Sequence, residues 1–236
     1  MSVTTTTRQA LPKTLQVSEM LIREIASGRI PDGSRLPTER QMAEDLGIAV
    51  GTLRRALAIL EEKGLLKRVQ GSGNYVQAKT SVQSVYGFFR LELMAGGGLP
   101  TAKVIDVFRL IKPDDFPDIG ESKLAHRIRR QRYLNDTPVA LEEIWLDGRF
   151  ADRLTADALR DSLYYYYKEK LDLIIANVED RVGVSELPDW APQKFTLPAG
   201  SFCGYVERLS LGQDGLAAEY SRTWFDHTVA RYTVRL

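Results

Sequence analysis

A single cysteine, Cys203, stands in the whole chain, set in an apolar stretch. One thiol makes neither a disulfide framework nor a cysteine-based metal site, and a reducing compartment suits it. Histidine is almost as scarce: His126 and His227 lie far apart, without the H-E-x-x-H spacing that brings two imidazoles to one metal. Each reads as a satisfied core or surface side chain. No segment approaches the roughly 18 continuous apolar residues of a membrane span, and the leader MSVTTTTRQALPK lacks the apolar run of a signal peptide. A cytoplasmic location with a frayed N-terminal tail is expected. No phosphate-cradling loop is present either. The Gly96 to Gly98 triplet, read as a turn between a helix-like FRLELMA and a strand, lacks a following Lys-Ser/Thr. These absences leave no catalytic residue, metal or cofactor to assign.

Nor does one sign of charge dominate, with 32 Lys+Arg against 31 Asp+Glu, but the balance is uneven. Up to Gln77 there are 11 basic and 8 acidic residues, and afterwards 21 and 23, so the head is mildly basic and the remainder mildly acidic. DNA affinity grows with the number of phosphates neutralised, and so modest an excess predicts two heads acting together in a homodimer. The length favours two domains: a head at 10–77, a polar linker at 78–84 and a larger domain at 85–236.

The head reads as three helices and a hairpin. Leu15, Met20, Leu21 and Ile25 mark an apolar stripe from about Thr14 to Ser27, closed by Gly28. The turn RIPDGSRLP leads to a second helix with Thr38 as N-cap and Gln41 three residues on, a capping box, ending at Gly47. A third helix runs from Ala49 or Val50 to about Lys63 with Leu53, Ala56, Leu57 and Leu60 inward. That leaves Thr52, Arg54 and Arg55 on or beside its outer face. Two short helices across a tight glycine turn present the second as a major-groove probe. An arginine there takes two acceptors on a guanine or a phosphate, and Thr52 reaches a phosphate or a thymine methyl. GLLKRVQGSGNYV then forms a glycine-tipped wing with Lys67 and Arg68 nearby. A three-helix domain used only for protein contacts is the plain alternative.

The motifs IASGRIPDGSRLPTER, MAEDLG, TLRRAL, LEEKGLL and QGSGNYV make the head resemble the GntR family of bacterial transcription regulators. The resemblance implies that Arg40, Arg54 and the wing from Gly71 to Gly73 meet bases or groove edges, with Arg35, Thr38 and Thr52 nearer the backbone. One departure is Val50, where many members carry arginine. Valine cannot donate to a guanine, which alters the expected operator at that step.

Beyond the head, the runs TAKVIDVFRLI, KLAHRIRRQRYL, PVALEEIWL, SFCGYVERLSL, YSRTWF and ARYTVRL alternate as strands, joined by turns such as LNDTP and GQDG. The class is α+β, with antiparallel hairpins. Tyr164 to Tyr167 fall in an expected helix, DSLYYYYKEKL, as core and interface fill. Alternation puts Arg130 and Arg132 on one face of a strand. Two adjacent guanidiniums need an anion or a carboxylate, and Glu142 on the neighbouring strand can pair one of them. Ser162 at a helix start can add a hydroxyl and backbone N–H groups to the same anion. From spacing alone, a ligand site and an exposed salt-bridge ladder stand equal.

RQRYLNDTPVALEEIW, DSLYYYYKEKL and AAEYSRTWF, in that order after a GntR-type head, resemble the UTRA ligand-binding domain of the HutC-like branch. The resemblance implies a chorismate-lyase-like antiparallel sheet with flanking helices, which binds a small effector and dimerises. It places Arg130, Arg132, Glu142, Ser162 and Glu219 among the ligand contacts. Phe225 stands where some relatives have tyrosine, which removes a hydroxyl. Phe88 replaces a frequent serine, with Arg90 as a weak substitute. The expected function is a regulator, a repressor in its simplest form, that grips a near-palindromic double-stranded operator and is released by a small anionic metabolite: a phosphorylated sugar, a phosphonate or an organic acid. A sensor domain serving only dimerisation and an enzyme of chorismate-lyase type are the rival readings.

Overall fold

The computed structural model describes residues 12–77, 87–159, 162–193, 195–198 and 200–235. The tail expected before Pro12 and the linker expected at 78–84 lie outside the described residues. Contacts group the described residues into two units: 12–77 with 87–91, 97–99 and 232–235, and 92–96 with 100–231.

In the head unit, the three- and four-residue spacing of Leu53, Ala56, Leu57 and Leu60 gives α3 (Val50–Glu62) one apolar face. It packs against Val17, Leu21 and Ile22 of α1 (Lys13–Ala26). α2 (Glu39–Asp45) starts at Thr38, whose hydroxyl accepts from the Gln41 amide N–H at 3.3 Å. The reciprocal half of the expected capping box is not made. The Gln41 side chain instead donates to Asp45 one turn further on, at 2.9 Å. β1 (Leu66–Val69) and β2 (Gly73–Val76) form the wing hairpin, and Arg35 bridges to Tyr75 so that the segment before α2 runs alongside β2.

α1 departs from a simple amphipathic stripe, because Gln16 to Ile25 are buried all round. Its polar positions are accommodated by pairing. Arg23 donates to Glu24 at 2.7 Å and to the Gly98 carbonyl at 3.2 Å, and lies over the Phe89 ring. Buried charges persist only when paired in this way.

The helix-like reading of FRLELMA is wrong. Leu91–Leu93 is a short strand, β3, paired with β10 (Ala230–Tyr232). Gly96, Gly97 and Gly98 follow with φ of 88°, 64° and 112°, a left-handed path that no helix continues along. ARYTVRL accordingly supplies only three strand residues.

The second unit is built on six antiparallel strands: β4 (Pro100–Ile111), β5 (Leu124–Leu134), β6 (Thr137–Asp147), β7 (Ile175–Glu186), β8 (Phe202–Gly212) and β9 (Ala217–Phe225). Their order is β4-β5-β6-β9-β8-β7. β5 and β6 join through Asn135 and Asp136, both at positive φ (47° and 62°), the conformation a two-residue hairpin turn demands. Register aligns Arg130 with Glu142, Thr223 and Val206 in one row. His126, Leu146, Glu219 and Ser210 stand in another row of the same face. Over this face lies α4 (Leu163–Leu171), whose tyrosine hydroxyls reach Ser210 and Glu219. The opposite face packs Phe116 edge-on to Trp145 and Tyr220, and Trp190 edge-on to Trp224, with Cys203 in the same apolar layer. No helix among the described residues is long and apolar enough to cross a membrane.

Candidate functional site

Because Leu53 and Leu57 turn inward, α3 presents Arg54 and Arg55 exposed and Thr52 half-exposed on its outer side. Arg40 is exposed on α2. Between the start of α2 and the wing is a groove of about 710 Å³, whose lining includes Arg35, Thr38, Glu39, Arg68, Gly71 and Gly73. Gly73 has a φ of 126°, and a Cβ there would stand 3.3 Å from Arg35 Nε, so the hairpin tip depends on glycine.

Sequence reasoning missed Glu39. Its Oε2 accepts from Arg54 Nε and its Oε1 from Arg68 Nη2, each at 2.6 Å. The hydrogen bond from Arg54 leads the effects that outweigh partial burial and hold this carboxyl below its ordinary value. A glutamate in the first turn of a helix reads from sequence as a helix-end charge. Nothing in the chain order signals its two partners, 15 and 29 residues on.

On the sheet, Arg130 Nη2 donates to Glu142 Oε2 at 2.6 Å, and Arg132 Nε lies 3.8 Å from Glu142 Oε1. Burial pushes the Glu142 carboxyl up, but the two guanidinium charges and the Arg130 hydrogen bond prevail and hold it below its ordinary value. Along the same face, Glu219 accepts from Tyr167 at 2.7 Å, Ser210 at 3.2 Å and Tyr164 at 3.3 Å. Here burial prevails over these bonds and over the Arg130 charge, and the carboxyl is raised. Burial and the neighbouring Glu219 in turn raise both phenols.

Ser162 is the N-cap of α4, its hydroxyl accepting from the Tyr165 N–H at 3.3 Å. Phe225 aligns with Ala140 on one side and Gly204 on the other. Arg90 belongs to the other unit. Arg130, Arg132, Glu142, Glu219 and Phe225 therefore share one face of the sheet, with Ser162 at the start of the helix lying over it. Three further participants stand outside the expected set. Arg208 grips Asp180 with two bonds at 2.6 and 2.7 Å, and Tyr164 and Tyr167, expected as fill, spend their hydroxyls on the polar cluster. The three-residue spacing of those tyrosines, which puts them on one helix face, was the available signal.

An arginine-bearing helix beside a glycine-tipped hairpin, and a buried guanidinium–carboxylate cluster on a separate sheet, define a transcriptional regulator with a DNA-binding head and a small-molecule-binding domain. The chain is of this class and is not an enzyme. Residues 13–76 match bacterial regulatory proteins of the gntR family, and residues 97–231 match the UTRA domain. The chain belongs to the gntR family, in its HutC-like, UTRA-containing branch.

It is 57% identical over 227 residues to the HTH-type transcriptional regulator SmoD of Agrobacterium fabrum, covering 96% of this chain and 97% of that one. It is 28% identical to the mannosyl-D-glycerate transport/metabolism system repressor MngR of Escherichia coli, covering 93% of each. The crystal structure of the regulator YydK from Bacillus subtilis shares the fold, with a TM-score of 0.55 at 21% identity over 96% of this chain and all of that one.

Proposed function

We propose that the chain is a cytoplasmic homodimeric repressor that binds a near-palindromic operator and releases it when a small anionic metabolite occupies the sheet domain. The observation that carries the DNA reading is the exposed set Thr52, Arg54 and Arg55 on α3, flanked by the glycine wing. Arg54 is 64% exposed at its side chain and faces no core. Arg40 and the Gly71–Gly73 tip read groove edges, and Arg35 and Thr38 hold the backbone.

For the effector, support comes from Arg130 and Arg132 sharing Glu142. A ligand carboxylate or phosphate suits the arginines, and Glu142 accepts from ligand hydroxyl or amino groups. Glu219, Ser162 and Phe225 border the same ligand, whereas Arg90 lies in the other unit and is left out of this site. The name of the MngR relative ties that protein to a glycoside bearing a carboxylate, a chemistry of this class.

Dimerisation is favoured by β7, a 12-residue edge strand whose face carries Val182 (57% exposed) and Val184 (72%), with Phe202 (63%) on β8. Edges this long are normally covered. A second copy of this chain is the proposed occupant of that edge. Coupling requires only that the effector prefer the form with low operator affinity, and a hundredfold preference supplies about 2.7 kcal/mol.

Two measurements test the reading. The first is selection from a randomised duplex library, expected to yield a two-half-site sequence preferred over its scrambled counterpart; no preference refutes operator binding. The second is a thermal-shift screen of sugar phosphates, phosphonates and small organic acids. One of these is expected to raise Tm in the native chain and not in Arg132→Ala, and a flat response across the panel favours a domain that serves only dimerisation.

A further inference from the structure

We propose that Glu39 is a specificity-determining positioning residue, which holds Arg54 and Arg68 against transfer to the phosphates of unmatched DNA. The inference rests on the DNA-reading function argued above.

Glu39 joins three elements of the reading surface: its own helix α2, Arg54 of α3 and Arg68 of wing strand β1. The two guanidinium side chains are 64% and 55% exposed, whereas Glu39 is 18% exposed, so the carboxylate is an inner anchor for two outward-facing cations. Arg54 meets it through Nε. That choice of donor leaves the two terminal nitrogens of the fork to address the two acceptors of a guanine edge. Glu39 thus fixes the plane and reach of Arg54 without consuming the atoms that read sequence.

On unmatched DNA there is no correctly placed guanine edge, and binding comes from cations that move onto phosphates. Both arginines would then have to leave a carboxylate that sits 2.6 Å away, and the carboxylate itself would face the polyanion. The anion therefore weakens unmatched binding more than matched binding. A positively charged surface without it would bind DNA more tightly and read it less well.

The test compares the native chain with Glu39→Gln and Glu39→Asp on the duplex selected by the native chain and on its scrambled version, across a salt series. Glu39→Gln is expected to bind scrambled DNA several-fold more tightly, and its preference for the selected duplex is expected to fall by about tenfold. Its salt dependence on scrambled DNA should steepen by roughly one to two units of log–log slope, as one or two arginines move to phosphates. Glu39→Asp keeps the charge but is too short to hold both guanidiniums, so its preference should fall as well. In the Arg54→Ala background, Glu39→Gln should lose most of its effect on preference.

A Glu39→Gln chain with native preference and native salt slope overturns the inference. So does a Glu39→Asp chain indistinguishable from the native one, since bulk charge alone would then suffice. Unchanged melting of both variants separates these outcomes from misfolding. A native chain that selects no sequence refutes the DNA-reading function itself, and the inference falls with it.

Discussion

Tyr167 donates its hydroxyl to Glu219 Oε2 at 2.7 Å, fastening α4 to the sheet through a carboxyl that is 2% exposed. Burial raises that carboxyl above its ordinary value of 4.5. A group whose pKa is raised by folding favours the folded state below its unfolded value, and this contribution is lost as pH rises through the folded value. Above its unfolded value Glu219 therefore lowers stability relative to a neutral isostere. Glu219→Gln should melt above the native chain at pH 7, and the gap should close as pH falls below about 4.5. Melting curves from pH 4 to 8 check this, and a gap independent of pH would show that burial does not govern the group.

The tyrosine side of the contact is testable separately. Tyr167→Phe removes the shortest donor to a buried carboxylate and should cost about 1–3 kcal/mol at pH 7. Tyr164→Phe should cost less, because its bond to Glu219 is longer, at 3.3 Å, and Ser210 still donates to the same oxygen at 3.2 Å. Urea denaturation of the two variants ranks them, and the reverse order would be inconsistent with this geometry.

Glu142 should show the opposite pH dependence. Arg130 and Arg132 more than offset the upward push of burial, so its folded pKa is depressed. Its contribution is present above the unfolded value and lost as pH falls through the folded one. Glu142→Ala leaves two buried guanidiniums without their shared carboxylate and should cost about 3–5 kcal/mol near neutrality. Denaturant unfolding at pH 7 and at pH 3 should give a large and a much reduced difference from the native chain. Equal differences at both pH values would mean that the ion pairs contribute little.

Much of this architecture was legible because buried strands and helices write their period into the chain. Leu53 to Leu60 announce α3, and the alternation in RIRRQRYL and VALEEIWL announces β5 and β6, along with the facing of Arg130 toward Glu142. β7 was not anticipated. At the sheet edge its side chains are mostly exposed, so IANVEDRVGVSE carries no sustained apolar alternation. FRLELMA misled for a related reason: three strand residues are too few to establish a period, and the pairing with Ala230–Tyr232 lies far away in sequence. The contacts of Glu39, and of Arg208 with Asp180, join positions 15 to 29 residues apart and depend on tertiary placement, which local pattern does not encode. Ser162 was anticipated at a helix start, where the structure puts it, although its hydroxyl serves the helix cap.

The space around Phe225 yields the last prediction. Phe225 aligns with Ala140 and Gly204, two small residues on the flanking strands, and its ring lies over the glycine. A Cβ on Gly204 would sit 2.1 Å from the ring Cζ, far inside contact distance, and the aromatic ring cannot deform to yield. Gly204→Ala should therefore displace the ring and cost about 1–3 kcal/mol, the usual range for overpacking. Phe225→Ala should cost about 3–5 kcal/mol by leaving a cavity. The decisive variant is the double one. With the ring gone, alanine at 204 has room, and its penalty should vanish, giving a coupling of at least about 1 kcal/mol in a double-mutant cycle measured by urea unfolding. Strictly additive costs would show that the two positions do not touch. Since Phe225 stands on the same face as Arg130 and Glu142, Gly204→Ala should also weaken effector binding once an effector is in hand, without changing the charge of the cluster.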